Sequence, residues 1–292
     1  MPLNKTYELV KPPVPAIDWQ SYEALVFREW ADLLKEQERS PNERQIQQYL
    51  ERHPCLLPWV EGELGVGHHG CFPAAVITQP KLSGLSAKYP DFMWIARDSV
   101  TVYPVLIEIE TPMKPWFTKS GQPHNTLTQA INQLREWKQW FSSPANLIKF
   151  KKQFALPSWL EGRAFQPRYV LIYGSRRDQT LNARTNPRRA IQNAADEIFL
   201  TFDRLAPHPN LRNYLTVRLD KDGYRAVSVP ATLELGPFYA EFWSLIRGKG
   251  EALEASPHLS DERRRFLVER WPYWDEWARR EDKGMRSSGD RE

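Results

Sequence analysis

The fold of this chain is decided by two stretches, Tyr89-Pro90-Asp91-Phe92 and Val105-Leu106-Ile107-Glu108-Ile109-Glu110-Thr111-Pro112. The second stretch begins with an apolar run that is typical of a buried strand. It ends with Glu108 and Glu110, whose spacing of two places both side chains on one face of that strand. Two acids on one face of an apolar strand repel each other and are costly to desolvate unless a cation compensates them.

The residues around Asp91 predict a second strand beside the first. Residues 91–96 are strand-like, and Arg97-Asp98-Ser99 has the composition of a polar turn. If the two strands pair antiparallel, Asp91 approaches Glu108 and Glu110. Three converging carboxylates form a site for a hard divalent cation, Mg²⁺ or Mn²⁺. Acidic residues at strand ends are also common without a metal, so this interpretation depends on the rest of the chain.

Length and composition are those of a soluble globular protein. The chain has 292 residues, of which 41% are hydrophobic and 26% charged, enough for one large domain or two small ones. Its apolar runs are too short to span a bilayer and its first residues do not begin a signal peptide, so we expect no membrane association. Cys55 and Cys71 favour reduced thiols in a cytoplasmic protein over a disulfide or zinc framework.

Positive charge is concentrated in the middle of the chain. Between Thr111 and Asn213 there are sixteen Lys and Arg against six Asp and Glu, whereas the rest of the chain has twenty-four against thirty. A basic segment directly after an acidic strand end suits a partner made of phosphates, although solvated helix faces give the same composition. The candidate nucleic-acid-binding residues in this segment are Lys114, Lys119, Arg176, Arg177, Arg188 and Arg189.

Hydrophobic periodicity predicts the remaining elements. Helices are expected at residues 19–38 with Asp18 as N-cap, 41–53 with Ser40 as N-cap, 126–141, 186–204, 238–246 and 260–280. Further strands are expected at residues 72–79, 168–174, 214–219 and 224–229, the last two as a hairpin. The predicted organisation is an extended segment and helix (1–40), a core domain (41–235), a helical segment (236–282) and a disordered charged tail (283–292).

Two of these helices carry polar residues four positions apart, which share a helix face. Gln129 and Gln133 offer two amides that can bond a phosphate oxygen, a metal-bound water or a carboxylate, although glutamine is also common on helix surfaces. Glu43, Gln47 and Glu51 form a similar row on the helix over 41–53, where a capping or solvated role is the more common one.

The order of these elements is helix, strand, strand with PD, strand with ExE, glutamine helix and apolar strand, as in the PD-(D/E)xK nuclease core. More narrowly, the chain resembles the Shedu family of bacterial anti-phage proteins. The resemblance covers roughly residues 41–235 and is carried by Gln47-Gln48-Tyr49-Leu50-Glu51-Arg52-His53-Pro54 with Leu56-Leu57, Tyr89-Pro90-Asp91-Phe92, Leu106-Ile107-Glu108-Ile109-Glu110-Thr111-Pro112, Gln129-Ala130-Ile131-Asn132-Gln133-Leu134 and Pro167-Arg168-Tyr169-Val170-Leu171-Ile172-Tyr173-Gly174. It implies an α/β fold with a PD-(D/E)xK restriction-endonuclease-like core, a mixed central sheet flanked by helices, and helical N- and C-terminal extensions.

The same resemblance implies a metal-dependent DNA endonuclease of an anti-phage defence system, often a homo-oligomer. Asp91 and Glu108 match the family's metal-binding acids, and Gln129 and Gln133 match its helix glutamines. Glu110 departs from the pattern, because the family usually has a lysine there that orients or activates the attacking water. A glutamate can bind metal or accept a proton instead, and the nearby Lys114 is a candidate donor in its place.

Three functions therefore stay open. The first is phosphodiester hydrolysis with one or two Mg²⁺ or Mn²⁺ ions at Asp91, Glu108 and Glu110, where the metal activates a water and Glu110 is a ligand or the general base. The second is a catalytically degenerate module that binds nucleic acid or a partner protein, which the missing lysine favours. The third is a scaffold whose subunit contacts use the aromatic residues of the terminal helices, Trp19, Trp30, Trp271, Trp274 and Trp277.

Overall fold

One mixed sheet with helices around it organises the protein in a computed structural model, which describes residues 4–58, 69–84, 87–178, 180–182, 185–186 and 194–292. The strands of this part are β1 (Cys71–Thr78), β2 (Phe92–Arg97), β3 (Thr101–Ile109), β4 (Ala164–Phe165), β5 (Arg168–Ile172), β6 (Glu197–Leu200), β7 (Leu215–Asp220), β8 (Gly223–Ser228) and β9 (Ile246–Arg247). The helices are α1 (Trp19–Arg39), α2 (Glu43–Arg52), α3 (Asn125–Phe141), α4 (Pro144–Gln153), α5 (Ser158–Glu161), α6 (Pro237–Trp243), α7 (Lys249–Glu254) and α8 (Asp261–Ala278). The predicted α/β class with a mixed central sheet flanked by helices is confirmed.

The strand order of the sheet is β6-β5-β3-β2-β1-β7-β8-β9, with the short β4 also paired to β3. The pairs β1–β2, β2–β3 and β7–β8 are antiparallel, whereas β3–β5, β5–β6 and β1–β7 are parallel. Every residue of β1 and of β3 is buried. Strands buried on both faces have continuous apolar sequences, and this is why β3 could be recognised from its composition.

The hairpin of β2 and β3 forms as predicted. Its register pairs Phe92 with Ile107 and Arg97 with Val102. Asp98 closes the turn, since its Oδ1 accepts from the N–H of Thr101 at 2.7 Å. An Asp side chain that bonds backbone N–H groups two or three residues further on is a common turn device. The start of β2 and the end of β3 therefore lie side by side at one edge of the sheet.

The predicted N-cap of α2 at Ser40 is wrong. The helix begins at Glu43, and Asn42 caps it by accepting a hydrogen bond from Gln45 N at 3.2 Å. Ser40 instead ends α1, where its N–H donates to Glu36 O at 3.0 Å. Ser and Asn are both strong capping residues, and the preceding helix already uses Ser40.

The predicted helix over residues 186–204 is wrong in its second half. Residues 187–193 lie outside the described part of the chain, and Glu197–Leu200 form a strand that pairs parallel with β5, with Val170 opposite Ile198. The apolar residues here fit a helical spacing, but branched and aromatic side chains also suit a strand. Pairing with the neighbouring strand decides between the two, and a local pattern does not contain that information.

Residues 283–292 were predicted to be a disordered tail, and the structure shows them packed. The Glu292 side chain is buried, with Oε1 accepting from Arg270 Nε at 2.7 Å and Oε2 from Trp274 Nε1 at 2.9 Å. The prediction of disorder rested on charge, and it is wrong because the charged residues of this segment find partners on α8, on α6 and near the N-terminus, as in the ion pair of Asp290 with Lys5. The proposed division of the rest of the chain into domains stays a prediction.

The tryptophans that the sequence offered for subunit contacts are mostly used inside the chain. Trp30, Trp271, Trp274 and Trp277 are all buried. They pack within the terminal helical segments and against the core, so they are not exposed anchors for a second copy. Within the described residues, no helix has both the length and the apolar character needed to cross a bilayer.

Candidate active site

The adjacent ends of β2 and β3 bring Asp91 and Glu108 together. Asp91 precedes β2, and its N–H donates to Ile107 O at 3.1 Å. Its Oδ2 accepts from Ile109 N at 2.8 Å, so the side chain is fixed to the backbone of β3. The carboxyl groups of Asp91 and Glu108 are near enough for each to influence the pKa of the other. Two acids brought together in a buried place favour a state in which one of them is protonated.

Burial raises the pKa of both carboxyl groups. For Glu108, which is 7% exposed, desolvation is the largest cause, and the negative charges of Asp91, Glu110 and Glu43 act in the same direction. For Asp91, desolvation is again the largest cause, and the hydrogen bond from Ile109 opposes it. The pair therefore retains a proton at neutral pH when no cation compensates it.

Two buried acceptor oxygens at this site have no hydrogen-bond partner among the described residues. They are Glu108 Oε2 and Gln47 Oε1. A buried polar atom without a partner costs roughly 1–3 kcal/mol. Carboxylate and amide oxygens are also the ligands that hard divalent cations prefer. The donor set and its unsatisfied atoms thus fit a Mg²⁺- or Mn²⁺-type ion.

The polar face of α2 is directed at this site. Gln47 is 8% exposed, and its Nε2 donates to Thr78 Oγ1 at 2.9 Å, while Thr78 donates to Glu51 Oε1 at 2.6 Å. Glu43 adds to the negative charge around Asp91, and burial followed by the negative charge of Glu110 raises the pKa of Glu43. A capping or solvated role was the preferred interpretation of this row. The i, i+4 spacing in the sequence indicates that the three residues share a helix face. That this face is turned towards the site is shown by the hydrogen bond from Gln47 to Thr78 of β1.

Glu110 lies at the end of β3, and its N–H donates to Ile172 O of β5 at 3.0 Å. Its carboxylate forms an ion pair with the ammonium group of Lys114, whose side chain is 30% exposed. The loop after β3 therefore returns a lysine to the position next to Glu110. A lysine ammonium is present at the site although the strand itself has no lysine.

The two glutamines of α3 are less closely involved than the resemblance implies. Gln129 is exposed and Gln133 half-buried, and within the described residues neither has a hydrogen bond to Asp91, Glu108 or Glu110. Their role in positioning the site stays a prediction.

Tyr173, which sequence reasoning did not single out, connects α3 to the loop that carries Lys114. Its hydroxyl group lies 2.6 Å from Thr126 Oγ1 and donates to Pro115 O at 3.0 Å. Burial raises the pKa of Tyr173 to about 12, and the charge of Glu110 adds to this effect. Tyr173 therefore stays neutral and fixes the loop beside the site.

The predicted nucleic-acid-binding residues differ in how exposed their side chains are and in whether they are paired with an acid. Lys119 is exposed, and the Arg177 side chain is 82% exposed. Arg176 is held by Asp203, which accepts from both its Nε and its backbone N–H. The other two predicted residues lie outside the described part of the chain: Arg188 and Arg189. Arg177 also lies 3.5 Å from Glu38, but its exposure, like that of Lys119, leaves much of the side chain open to a partner.

The three predicted metal ligands do not form a closed set in this arrangement. Considering the described residues, the ligand atoms of Asp91, Glu108 and Glu110 are not all within 4.8 Å of one another, because the last carboxylate is turned towards its lysine. Elsewhere among the described residues, three potential metal ligands do lie within 4.8 Å of one another. They are Glu29, His53 and His258.

The geometry defines an α/β protein with a buried carboxyl pair at two adjacent strand ends of a mixed sheet. The family model described as Shedu protein SduA, C-terminal, matches residues 40–206, more than half of the chain. The chain therefore belongs to the Shedu family, and the resemblance drawn from the sequence is confirmed. Membership implies a role in defence against phage. A search of curated proteins finds no match to the chain.

Proposed function

We propose that the protein is a metal-dependent DNA endonuclease with a PD-(D/E)xK-like core, and that Asp91, Glu108 and Glu110 bind Mg²⁺ or Mn²⁺. The observation that carries the proposal is the buried Asp91–Glu108 pair. Two acids are held together there, and among the described residues neither of them forms an ion pair and one oxygen of Glu108 has no hydrogen bond. In a family of phage-defence proteins, such a site suits phosphodiester hydrolysis.

The residues at the strand ends would act as a fixed ligand set. Asp91 is positioned by the Ile109 amide, and Glu108 by its place in the fully buried β3. When bound, Mg²⁺ supplies polarisation of the phosphodiester and a lowered pKa of a coordinated water. Ligation requires both carboxyl groups to lose their shared proton, so occupancy should increase with pH.

Glu110 and Lys114 would divide the task that a single lysine performs in the usual family pattern. The Lys114 ammonium group neutralises Glu110, and it can donate a hydrogen bond to a phosphate oxygen or to water. Released from this ion pair, Glu110 becomes a third oxygen ligand or a proton acceptor. This division accounts for an ExE sequence in an active enzyme.

DNA would be bound through its backbone. The exposed side chains of Lys119 and Arg177 lie in the basic middle segment, and Arg188 and Arg189 extend that segment in the sequence. Such contacts neutralise phosphates and give a binding constant that falls with salt. We include in the proposal that the protein forms a homo-oligomer, which light scattering on the purified protein tests directly.

A second candidate is a catalytically degenerate module that binds nucleic acid or a partner protein. The specific observation in its favour is Glu110, which stands where the family usually has lysine and which is tied up by Lys114. This candidate predicts DNA retention without cleavage under any metal condition.

The test is cleavage of supercoiled and linear DNA in Mg²⁺, Mn²⁺ or EDTA, with DNA retention measured in the same samples. We compare the wild-type protein with the double variant Asp91→Asn/Glu108→Gln. Both changes keep side-chain shape and remove the negative charges, and the amide oxygen introduced at position 91 can still accept from the N–H of Ile109. We expect metal-dependent cleavage that the double variant reduces by about 10³-fold or more, because the metal would contribute several kcal/mol to the transition state.

The matched control is Glu136→Gln, an exposed acid on α3 that pairs with Lys88. It should cleave like the wild type. If the double variant cleaves as fast as this control, the assignment of Asp91 and Glu108 is wrong. If wild-type protein retains DNA but cleaves in neither metal, the binding module is the better description.

A further inference from the structure

A second group of potential metal ligands lies away from the carboxyl pair, where three distant parts of the chain meet. Glu29 is on α1, His53 follows α2, and His258 precedes α8. His258 Nε2 lies 3.3 Å from the Glu29 carboxylate, and His53 Nε2 lies 4.0 Å from it. One ligand atom from each residue can be chosen so that all three are within 4.8 Å of one another.

His53 is held so that one ring nitrogen faces this group. Its side chain is 2% exposed, and its Nδ1 lies 2.9 Å from the hydroxyl oxygen of Tyr22. In one of the two neutral tautomers of His53, Nδ1–H donates to this hydroxyl oxygen. In that tautomer Nε2 presents its lone pair to Glu29 and His258. Ligating histidines in proteins are usually oriented by such a partner on the other nitrogen.

The charge around the group favours a cation. It opens into a cavity of about 440 Å³, and the other charged residues at its wall are Asp32, Glu36 and Arg52. With Glu29, the cavity has three carboxylates against one guanidinium group.

The spacing of the atoms is close to that of a zinc site. Ligands about 2.0–2.1 Å from a tetrahedral Zn²⁺ lie roughly 3.4 Å from one another. The contact between His258 and Glu29 already has this length, and the contact between His53 and Glu29 is about half an ångström longer. Two imidazoles and one carboxylate also suit Zn²⁺ better than Mg²⁺.

We propose that Glu29, His53 and His258 bind one Zn²⁺ ion, with the fourth position open to the cavity. The ion would join α1, the end of α2 and the segment before α8, and so fix both terminal helical segments to the core. This role is independent of the proposed nuclease activity. Without a metal, the three residues are held together by the 3.3 Å contact of His258 with Glu29 and by the longer contact of His53 with Glu29.

The experiment measures bound zinc directly in the full-length protein. Protein is stripped with EDTA, titrated with ZnSO₄ by calorimetry and analysed for metal after gel filtration. Its Tm is recorded with and without Zn²⁺. We expect one Zn²⁺ per chain and a Tm raised by about 5 °C at saturating metal.

The diagnostic variants are His258→Asn and Glu29→Gln. His258 has a positive φ of 63°, a conformation that Asn tolerates well, so this change removes the ligand with little strain. In Glu29→Gln, the amide oxygen still accepts the hydrogen bond from Tyr49. Each variant should weaken zinc binding by more than the roughly 10- to 100-fold that follows loss of a group hydrogen-bonded to a ligand. The Tm shift should disappear with it.

The control variant is His68→Ala/His69→Ala, which removes the adjacent histidine pair of the sequence. It should bind zinc like the wild type and show the same Tm shift. Zinc binding that is unchanged in His258→Asn, that is lost in the control, or that stays far below one ion per chain overturns the proposal.

Discussion

Glu108 and Glu292 are equally buried, each 7% exposed, but their surroundings differ. The side-chain oxygens of Glu292 accept from Arg270, from Trp274 and from the N–H of Val10 at 3.0 Å. Glu108 lies against a second acid and has an oxygen without a hydrogen bond among the described residues. A carboxylate that serves structure is compensated within the chain, whereas Glu108 is left to be compensated by something that the chain binds.

The largest loss of stability is expected on substitution of Glu292, the acid that is compensated within the chain. Glu292→Ala leaves the largely buried Arg270 guanidinium group without its carboxylate partner and the buried Trp274 N–H without its acceptor. Removing one partner from a buried ion pair costs about 3 kcal/mol of unfolding free energy. Urea unfolding at pH 7 measures this loss. The control Glu276→Ala removes an acid of α8 that is 74% exposed and should change stability by less than about 0.5 kcal/mol. If Glu292→Ala loses less than about 1 kcal/mol of unfolding free energy, Glu292 is not the structural acid that the comparison with Glu108 assumes.

Substitution of Glu108 should have the opposite effect in the absence of metal, and Glu108→Gln should raise the unfolding free energy. Its pKa is raised on folding, so the folded state binds more protons than the unfolded state above the unfolded pKa of about 4.5. The unfolding free energy of the wild type therefore falls as pH rises towards the raised pKa. Glu108→Gln removes this dependence, and its advantage over the wild type should grow to about 1–3 kcal/mol.

Urea unfolding in EDTA at pH 5, 7 and 9 measures this difference for Glu108→Gln. Glu136→Gln, at an exposed acid of α3, is the control in the same series. A wild type that gains stability over Glu108→Gln as pH rises would show that the Glu108 carboxylate is compensated within the chain after all.

The smallest effect is expected at Lys114. Its ion pair with Glu110 is partly exposed, so Lys114→Gln should lower the unfolding free energy by less than about 1 kcal/mol. Lys119→Gln, at an exposed lysine in the same loop, provides the baseline. A loss as large as that at Glu292 would mean that the lysine is a structural partner of Glu110, and its proposed role as a donor to substrate would be wrong.

The approach of Asp91 to Glu108 could be predicted from the sequence because it depends on local facts. An apolar run, a polar turn and the alternation of strand side chains are enough to place both acids at one edge. The ion pair of Glu110 with Lys114 also depends on a local fact, since the two residues are only four positions apart in the sequence.

The contributions of distant segments could not be predicted. Gln47 reaches the site because α2 packs beside β1, and Glu292 is buried because α8 supplies its partners. The strand Glu197–Leu200 was taken for part of a helix because β5, its partner, is more than twenty residues away in the sequence. In each case the structure is decided by contacts between two elements that are distant in the sequence. Secondary-structure propensity describes one segment at a time, so it does not predict such contacts.

The backbone hydrogen bond from Gln79 N to Asp91 O, at 2.7 Å, closes the segment of residues 80–90 at its base. Asp91 itself is fixed to β3 through Ile107 and Ile109. The position of the acid is therefore set by the sheet and is independent of the length of the segment before it. An insertion or deletion within residues 80–90 should therefore leave the carboxyl pair in place, because the sheet holds both acids.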